Sequence, residues 1–276
     1  MKATDRALTI EQLPSIKDKF TLKGKRAFVT GAAGGIGRST AAAMAELGAD
    51  IVIMDIAPKK EALELCAEQI AKRYGVRVLP LVGNVTDEES VGEMYDKIEE
   101  EFGGIDVVHS NAGIAPMTDN YGIDLKTWQQ VMDVNINGCM LIARYGAEMM
   151  RGQGTGGSVI ITASMSASIV NRYMSNDLAT MAYCTSKGAI KQFTKALAIQ
   201  YAQYGVRVNS ISPGYVLSGI HDRFPQEYFD CTTDTVPLKR YASLDEVAGV
   251  VAMLATDLSS YMLGSDVVID GGYTIW

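Results

Sequence analysis

The stretch Thr30-Gly31-Ala32-Ala33-Gly34-Gly35-Ile36-Gly37 decides the fold. Arg26 to Thr30 is a short apolar run of strand type, and Gly35 to Leu47 carries a helical pattern. Glycines between a strand and a helix permit a tight turn. They also let backbone N–H groups approach a phosphate, which the helix dipole favours. The strand–turn–helix context, more than the glycines themselves, makes Gly31, Gly34, Gly35, Ile36 and Gly37 candidate nucleotide-binding residues. The following strand, Ile51 to Asp55, ends in an acid eighteen residues past Gly37. A carboxylate there accepts hydrogen bonds from ribose hydroxyls and repels a 2′-phosphate. Asp55, with Ile56 beside it, therefore predicts NAD over NADP, while Arg38 keeps that preference from being absolute.

Outward from this unit, short β-branched runs alternate with helical patterns. Lys59 to Tyr74 reads as a helix and Val76 to Val82 as extended. Thr86-Asp87-Glu88-Glu89 has capping-box form and opens a helix to about Phe102. Asp106 to His109 is a strand, and one long helix is predicted over Asp124 to Met150. Ser158 to Thr162 is a strand, Thr180 to Tyr204 a helix, and Val206 to Ile211 a strand. Ser243-Leu244-Asp245-Glu246 caps a helix to about Leu258, and Asp266 to Ile269 is the last strand. Seven strands separated by helices predict an α/β fold, a parallel sheet with helices on both faces. Continuous apolar strands suit such doubly buried positions. The expected organisation is an N-terminal extension over 1–22 and a single domain over 23–276. Tyr215 to Tyr241, with Pro225 and Pro237 and no clean period, is expected to form a substrate-covering lid.

Composition narrows the function classes. The chain has 276 residues, 47% hydrophobic and 21% charged, with net charge −7, which is ordinary globular usage. The acidic balance argues against a nucleic-acid partner. Cys66, Cys139, Cys184 and Cys231 form no CxxC pair and no metal-ligand spacing with His109 or His221, so no metal is predicted. Free thiols, no apolar signal core before Thr21 and no membrane-length apolar run predict a soluble cytoplasmic protein.

Tyr183-Cys184-Thr185-Ser186-Lys187 places Tyr and Lys at i and i+4 on one helix face. A phenol is a poor base at neutral pH unless a neighbouring ammonium stabilises the phenolate. The pair thus suits proton exchange with an alcohol oxygen. Upstream, the strand ending at Thr162 runs into Ala163-Ser164-Met165-Ser166, a hydroxyl-bearing segment where open α/β sheets bind ligands.

With these motifs the chain resembles the short-chain dehydrogenase/reductase family, from about Leu22 to Trp276. The shared features are the glycine turn, Asn111-Ala112-Gly113, Asn135 in Val134-Asn135-Ile136-Asn137-Gly138, the Tyr-Lys pair, Pro213-Gly214 and Asp270-Gly271-Gly272. The resemblance implies a Rossmann fold and Tyr183 as general acid/base. It further implies that Lys187 lowers the Tyr183 pKa and holds the nicotinamide ribose, that Ser164 orients the substrate oxygen, and that Asn135 positions a relay water. It places Asn111, Ala112, Gly113, Val85, Pro213, Gly214 and Val216 along the dinucleotide, and implies a homotetramer. Three departures stand out. Asn84 replaces the strand-end Asp that contacts adenine, and Ser218 replaces a Thr near the carboxamide. Nineteen residues separate Ser164 from Tyr183, so an insert within about 168–180 should reshape the substrate mouth. Ser166 rivals Ser164 as the catalytic serine, with strand register favouring Ser164.

Two substrate classes stay open. Ile161 to Ser166 and the ending Gly271 to Trp276 resemble the polyol and ketose branch, such as mannitol, arabinitol and sorbitol dehydrogenases. Asn171, Arg172, Asn176 and Asp177 suit polyol hydroxyls. Against this, Met117, Met165, Met174 and Met181, with Tyr173, Tyr215 and Phe224, suit a bulky apolar alcohol such as a hydroxysteroid. Ser164, Met165, Ser166, Tyr183 and Tyr215 are the candidate substrate residues in either case. A non-catalytic nucleotide-binding protein is the third class, and the intact Ser-Tyr-Lys-Asn set argues against it.

Overall fold

Every strand must bury apolar side chains on both faces, and this governs the architecture. The computed structural model describes residues 10–115, 124–171, 179–219 and 226–275. The strands are β1 (Arg26–Thr30), β2 (Asp50–Asp55), β3 (Val78–Val82), β4 (Val107–Ser110), β5 (Gly157–Thr162), β6 (Val206–Pro213) and β7 (Asp266–Ile269). They form one sheet in the order β3-β2-β1-β4-β5-β6-β7, every pair parallel. The helices are α1 (Gly35–Glu46), α2 (Lys60–Tyr74), α3 (Glu88–Phe102), α4 (Leu125–Met132), α5 (Cys139–Gln153), α6 (Ala179–Tyr201), α7 (Gln226–Thr235) and α8 (Leu244–Ala255). This is the expected single-domain α/β Rossmann architecture.

Alternation along the strands sends successive residues to opposite layers. Ala27, Val29, Ile51, Ile53, Val107 and Ile160 pack with α1, α2 and α8 through Met44, Leu63, Ile70, Val247 and Val251. Phe28, Val52, Met54, Val108, Val159 and Ile161 pack with α3, α5 and α6 through Tyr95, Ile98, Ile142, Met150 and Leu197. Leu22 is buried in the first of these cores and its N–H donates to the Leu47 carbonyl. Strand order reverses between β1 and β4, which opens a crevice at the carboxyl ends of those strands.

Three elements differ from the sequence reading. The N-cap of α3 is Asp87, which accepts from Glu89 N, while Thr86 donates its hydroxyl to Asn84 Oδ1. The predicted helix over Asp124 to Met150 is divided by a π turn at Asp133–Gly138. Gly138 there packs so closely on Val85 that an added methyl would sit 2.6 Å from Val85 Cγ2. The segment 215–241, expected as an irregular lid, contains α7, and its ends are joined by a bridge between Val216 and Ala242 and by Tyr215 stacked on Tyr241 at 5.1 Å.

At the amino edge of the sheet, opposite the crevice, β1 and β4 are tied by Arg26 and Asp106. The Arg26 backbone N–H and Nε donate to Asp106 Oδ2 at 2.9 and 2.8 Å. Burial raises the Asp106 carboxyl, but the Arg26 hydrogen bonds and charge outweigh it and hold the group below its ordinary value. A carboxylate with a depressed folded pKa contributes stability above its unfolded pKa of about 4 and loses it as pH falls through the folded value. Asp106→Ala should cost about 2 kcal/mol at pH 7 by urea unfolding. The gap from wild type should narrow progressively as the pH is lowered below about 4.

Candidate active site

The glycine turn closes on itself because two of its positions admit no side chain. A methyl at Gly37 would lie 2.3 Å from the Gly31 carbonyl oxygen and 2.8 Å from Asn111 Nδ2. Gly31 has φ +67°, and a methyl there would press on Ala112 Cα at 3.1 Å. Ala32 N donates to the Met54 carbonyl, tying the turn to β2. Gly34 faces open space, so the backbone at the start of α1 is approachable. Ile36 packs against the adjoining core. Thr30 Oγ1 accepts from the N–H groups of Asn111 and Ala112 at 3.0 Å, and Asn111 Nδ2 donates to the Thr30 carbonyl. The ends of β1 and β4 are thus held together across the crevice.

Asp55 stands at the edge of this turn. Its Oδ2 accepts from Ala33 N at 3.0 Å and its Oδ1 from Ile56 N at 2.9 Å. Two backbone donors fix the carboxylate while leaving it acceptor capacity for ribose hydroxyls. Ile56 is nearly half exposed beside it, and Arg38 is exposed on α1. Asn84 Oδ1 is engaged by Thr86 N and Oγ1, and Val85 is buried under Gly138. Gly214, following Pro213, packs so tightly on Asp270 that a methyl would meet its Cα at 2.7 Å. The Ser218 carbonyl lies 3.3 Å from the corresponding point at Gly35, bringing the loop after Val216 against the turn. The open turn, the helix N-terminus and the strand-end acid fit a dinucleotide.

Ser164, Tyr183, Lys187 and Asn135 come together at the ends of β5 and α6. The Ser164 hydroxyl hydrogen-bonds the Tyr183 phenol, and Lys187 Nζ lies 5.6 Å from the centre of the Tyr183 ring. Lys187 is buried and donates to the Thr162 carbonyl at 2.7 Å. Asn135, projected inward from the π turn, accepts from Ile114 N at 2.8 Å. Its Nδ2 donates to the Ile114 carbonyl and to Ser186 Oγ, both at 3.0 Å. Gly113 is threaded between these groups, since a methyl on it would be 3.2 Å from Asn135 Oδ1 and 3.5 Å from Lys187 Nζ.

Burial raises the Tyr183 phenol and the Ser164 hydrogen bond only partly opposes it. The Lys187 ammonium is turned onto the Thr162 carbonyl. Lys187 is itself pushed down to about 8 by burial.

The two candidate serines separate clearly. Ser164 Oγ reaches Tyr183 and accepts from Ser166 N, whereas Ser166 Oγ donates to Asn171 Oδ1 at 2.7 Å. Asn171 Nδ2 donates to Tyr215 Oη at 3.3 Å, so the protein already occupies the amide expected for polyol hydroxyls. Met165 is buried in a cluster with Tyr215, Val236 and Tyr241, while Met181 is exposed. Met117, Arg172, Tyr173, Met174, Asn176, Asp177 and Phe224 lie outside the described residues, as does most of the 168–180 insert.

Sequence reasoning missed Thr30, Thr162 and Ser186 as supports of these groups. Ser186 had a signal, since it lies three residues past Tyr183 on the same helical face. Thr162 acts through its carbonyl, which no residue type announces. Among the described residues no group of three or more His, Cys, Asp or Glu has metal-binding geometry, and no helix is long and apolar enough to cross a membrane.

The site sets a glycine turn that fits a dinucleotide beside a Ser-Tyr-Lys group whose chemistry suits proton exchange, the arrangement of an oxidoreductase. The chain belongs to the short-chain dehydrogenase/reductase family and acts on CH–OH groups. A family profile described as enoyl-(acyl carrier protein) reductase matches residues 31–274. A sorbose reductase of Candida albicans is 38% identical over 95% of this chain and 92% of its own length. An NADP-dependent mannitol dehydrogenase of Hypocrea jecorina is 35% identical over 93% and 95%. The crystal structure of a short-chain type dehydrogenase/reductase from Mycobacterium marinum superposes with TM-score 0.88 at 40% identity, covering 94% of this chain and 99% of that one.

The depressed Lys187 pKa carries a stability signature. Between pH about 8 and the ordinary lysine value of about 10.4, the unfolded chain binds a proton that the folded chain has released. Stability contributed at Lys187 therefore rises with pH across that window. Relative to Lys187→Met, wild type should gain about 2–3 kcal/mol between pH 7 and 10.4 in chemical denaturation.

Proposed function

We propose that this protein interconverts a secondary hydroxyl and a ketone on a polyol or ketose, with NAD(H) as the dinucleotide. The observation that carries the reading is the convergence of Ser164, Tyr183 and Lys187 beside Gly113 and the glycine turn. When bound, the nicotinamide supplies or accepts the hydride. Tyr183 Oη gives its proton to a carbonyl oxygen in reduction and takes it back in oxidation. Burial keeps the phenol protonated at neutral pH, which suits the reductive direction. Ser164 Oγ orients the substrate oxygen against Tyr183. Lys187, seated on the Thr162 carbonyl, supplies the nearby charge and is placed to meet the nicotinamide ribose. Asn135 holds the 113–114 segment against α6 through Ile114 and Ser186, in the position to order a relay water.

The polyol or ketose class is supported by the relatives named as a sorbose reductase and a mannitol dehydrogenase. The methionine argument for a bulky apolar substrate weakens at Met165, which fills core beside Tyr215. NAD is supported by the Asp55 carboxylate at the turn and by Ala33 and Ile56 on either side of it, which offer no cation to a 2′-phosphate. The relative named as NADP-dependent makes this the sharpest point to test. A tetramer belongs to the same proposal, supported by the exposed Ile199 and Tyr204 at the end of α6 and in the turn after it. Sedimentation of the full chain at four times the monomer mass checks it.

Tyr183→Phe should lower kcat at least 1,000-fold while NADH binding, read by fluorescence titration, stays within about threefold. A screen pairing ketoses with keto-steroids should show turnover of the ketoses, and steroid turnover alone would overturn the substrate class. Asp55→Ser should raise kcat/KM for NADPH relative to NADH by about 10-fold or more, consistent with removal of one repelling charge. A wild-type preference for NADPH would refute the Asp55 argument.

A further inference from the structure

β4 lies at the centre of the sheet, and Val107 and Val108 fill the two cores on either side of it. His109 follows on the face of Val107, paired in register with Val29 and Ile160, where an aliphatic side chain would pack without cost. The imidazole is fully buried yet bonded at both nitrogens. Nδ1 lies 3.0 Å from Thr40 Oγ1 on α1, and Nε2 lies 2.9 Å from Thr162 Oγ1 on β5. Desolvation keeps the ring neutral, with its pKa lowered to about 3, so it offers one donor and one acceptor.

Both partners lead directly into the site. Thr40 Oγ1 donates to the Gly37 carbonyl at 3.0 Å, inside the glycine turn. Thr162 Oγ1 likewise donates to Asn111 Oδ1 at 3.2 Å, at the crevice wall. Each threonine shares its hydroxyl between the ring and a second acceptor, and the neutral imidazole donates at one nitrogen and accepts at the other. The carbonyl of the same Thr162 seats Lys187 Nζ. One two-ended imidazole therefore spans the sheet from the cofactor turn to the residue that places the lysine.

We propose that His109 is a positioning residue, joining the glycine turn at Gly37 to the seat of Lys187 at Thr162 through Thr40. The inference rests on the functional reading above for what the two ends do. Its physical basis is that displacements of about 1 Å at a reacting group are costly, and a buried hydrogen-bonded network joining both ends holds them together. Each nitrogen has a distinct task. Nδ1 sets the turn and hence dinucleotide affinity, and Nε2 sets Thr162 and hence the proton chemistry.

Three variants separate these tasks. His109→Leu fills the space and loses both bonds, His109→Asn reaches the Nδ1 position with an amide that can donate or accept, and His109→Gln reaches to the Nε2 position. NADH affinity is read by fluorescence titration, and the pH profile of kcat by steady-state assay with the substrate found active. His109→Leu should weaken NADH at least 10-fold, lower kcat at least 10-fold and shift the pH profile by half a unit or more. His109→Asn should restore NADH affinity to within threefold, and His109→Gln should restore the pH profile. A folded His109→Leu with NADH affinity within twofold of wild type and an unshifted profile overturns the proposal, as does equal impairment in all three. If His109→Leu fails to fold, 15N spectra of the wild-type ring decide, with the signal assigned by His221→Asn. His109 nitrogen shifts that move on NADH addition support the link to Gly37, and unmoved shifts refute it. The affinity series stands without any turnover, so failure of the proposed substrate reading is distinguishable from failure of this one.

Discussion

A parallel sheet covered on both faces leaves its strands no solvent side, and the rest of this protein follows from that constraint. Apolar residues must alternate into two cores, as Val29 and Phe28 or Ile53 and Val52 do. Functional groups are displaced to the carboxyl ends of the strands, where the loops begin. Thr30, Asp55, Asn111, Ser164 and Pro213 all stand at or just past such ends. Polar side chains that enter the strands find partners on neighbouring strands, helices or loops, as Ser158 does at the Leu254 carbonyl. Ser210 and Ser212 donate to Asp266, and Thr30 accepts from the start of the Asn111 loop. Burial makes an unpaired polar group costly, so the bonded ones are strong constraints on geometry.

The same burial tunes the acid/base pair in opposite senses. It disfavours charge on both groups, raising the phenol of Tyr183 and lowering the ammonium of Lys187. The two pKa values are thereby driven apart, the phenol upward from its ordinary value and the ammonium down to about 8. A proton is kept on the tyrosine, and the lysine charge is held only weakly. Ser164 opposes the first effect by hydrogen-bonding the phenol, and the Thr162 carbonyl fixes where the second charge sits.

Much of this was legible in the chain itself. The seven strands, the glycine turn and the Tyr-Lys spacing follow from local patterns, because periodicity and i to i+4 proximity are properties of short segments. The divided helix was not legible. The π turn at Asp133–Gly138 sits where Gly138 meets Val85, a residue from a distant loop that local periodicity does not register. The cap of α3 moved to Asp87 because Thr86 found Asn84 as a partner. The helix inside the 215–241 segment, α7, carries Phe229 into an aromatic cluster with Tyr241, a contact that a local pattern does not encode.

The sequence by itself determined the class of fold, the backbone-approachable glycine turn and the Tyr-Lys spacing from which the proposed acid/base pair is read. These rest on residue types at fixed short spacings, where backbone geometry leaves little freedom. Only the tertiary structure decided which serine meets the tyrosine, where the lysine charge rests and what the buried histidine joins. Those depend on groups far apart along the chain, brought together by the packing of helices α1 and α6 on the sheet. In each case the outcome is a competition among partners: Ser166 goes to Asn171, Ser164 to Tyr183, and Lys187 to a backbone carbonyl. A donor buried with several acceptors in reach is assigned by three-dimensional distance, and sequence spacing does not specify that distance.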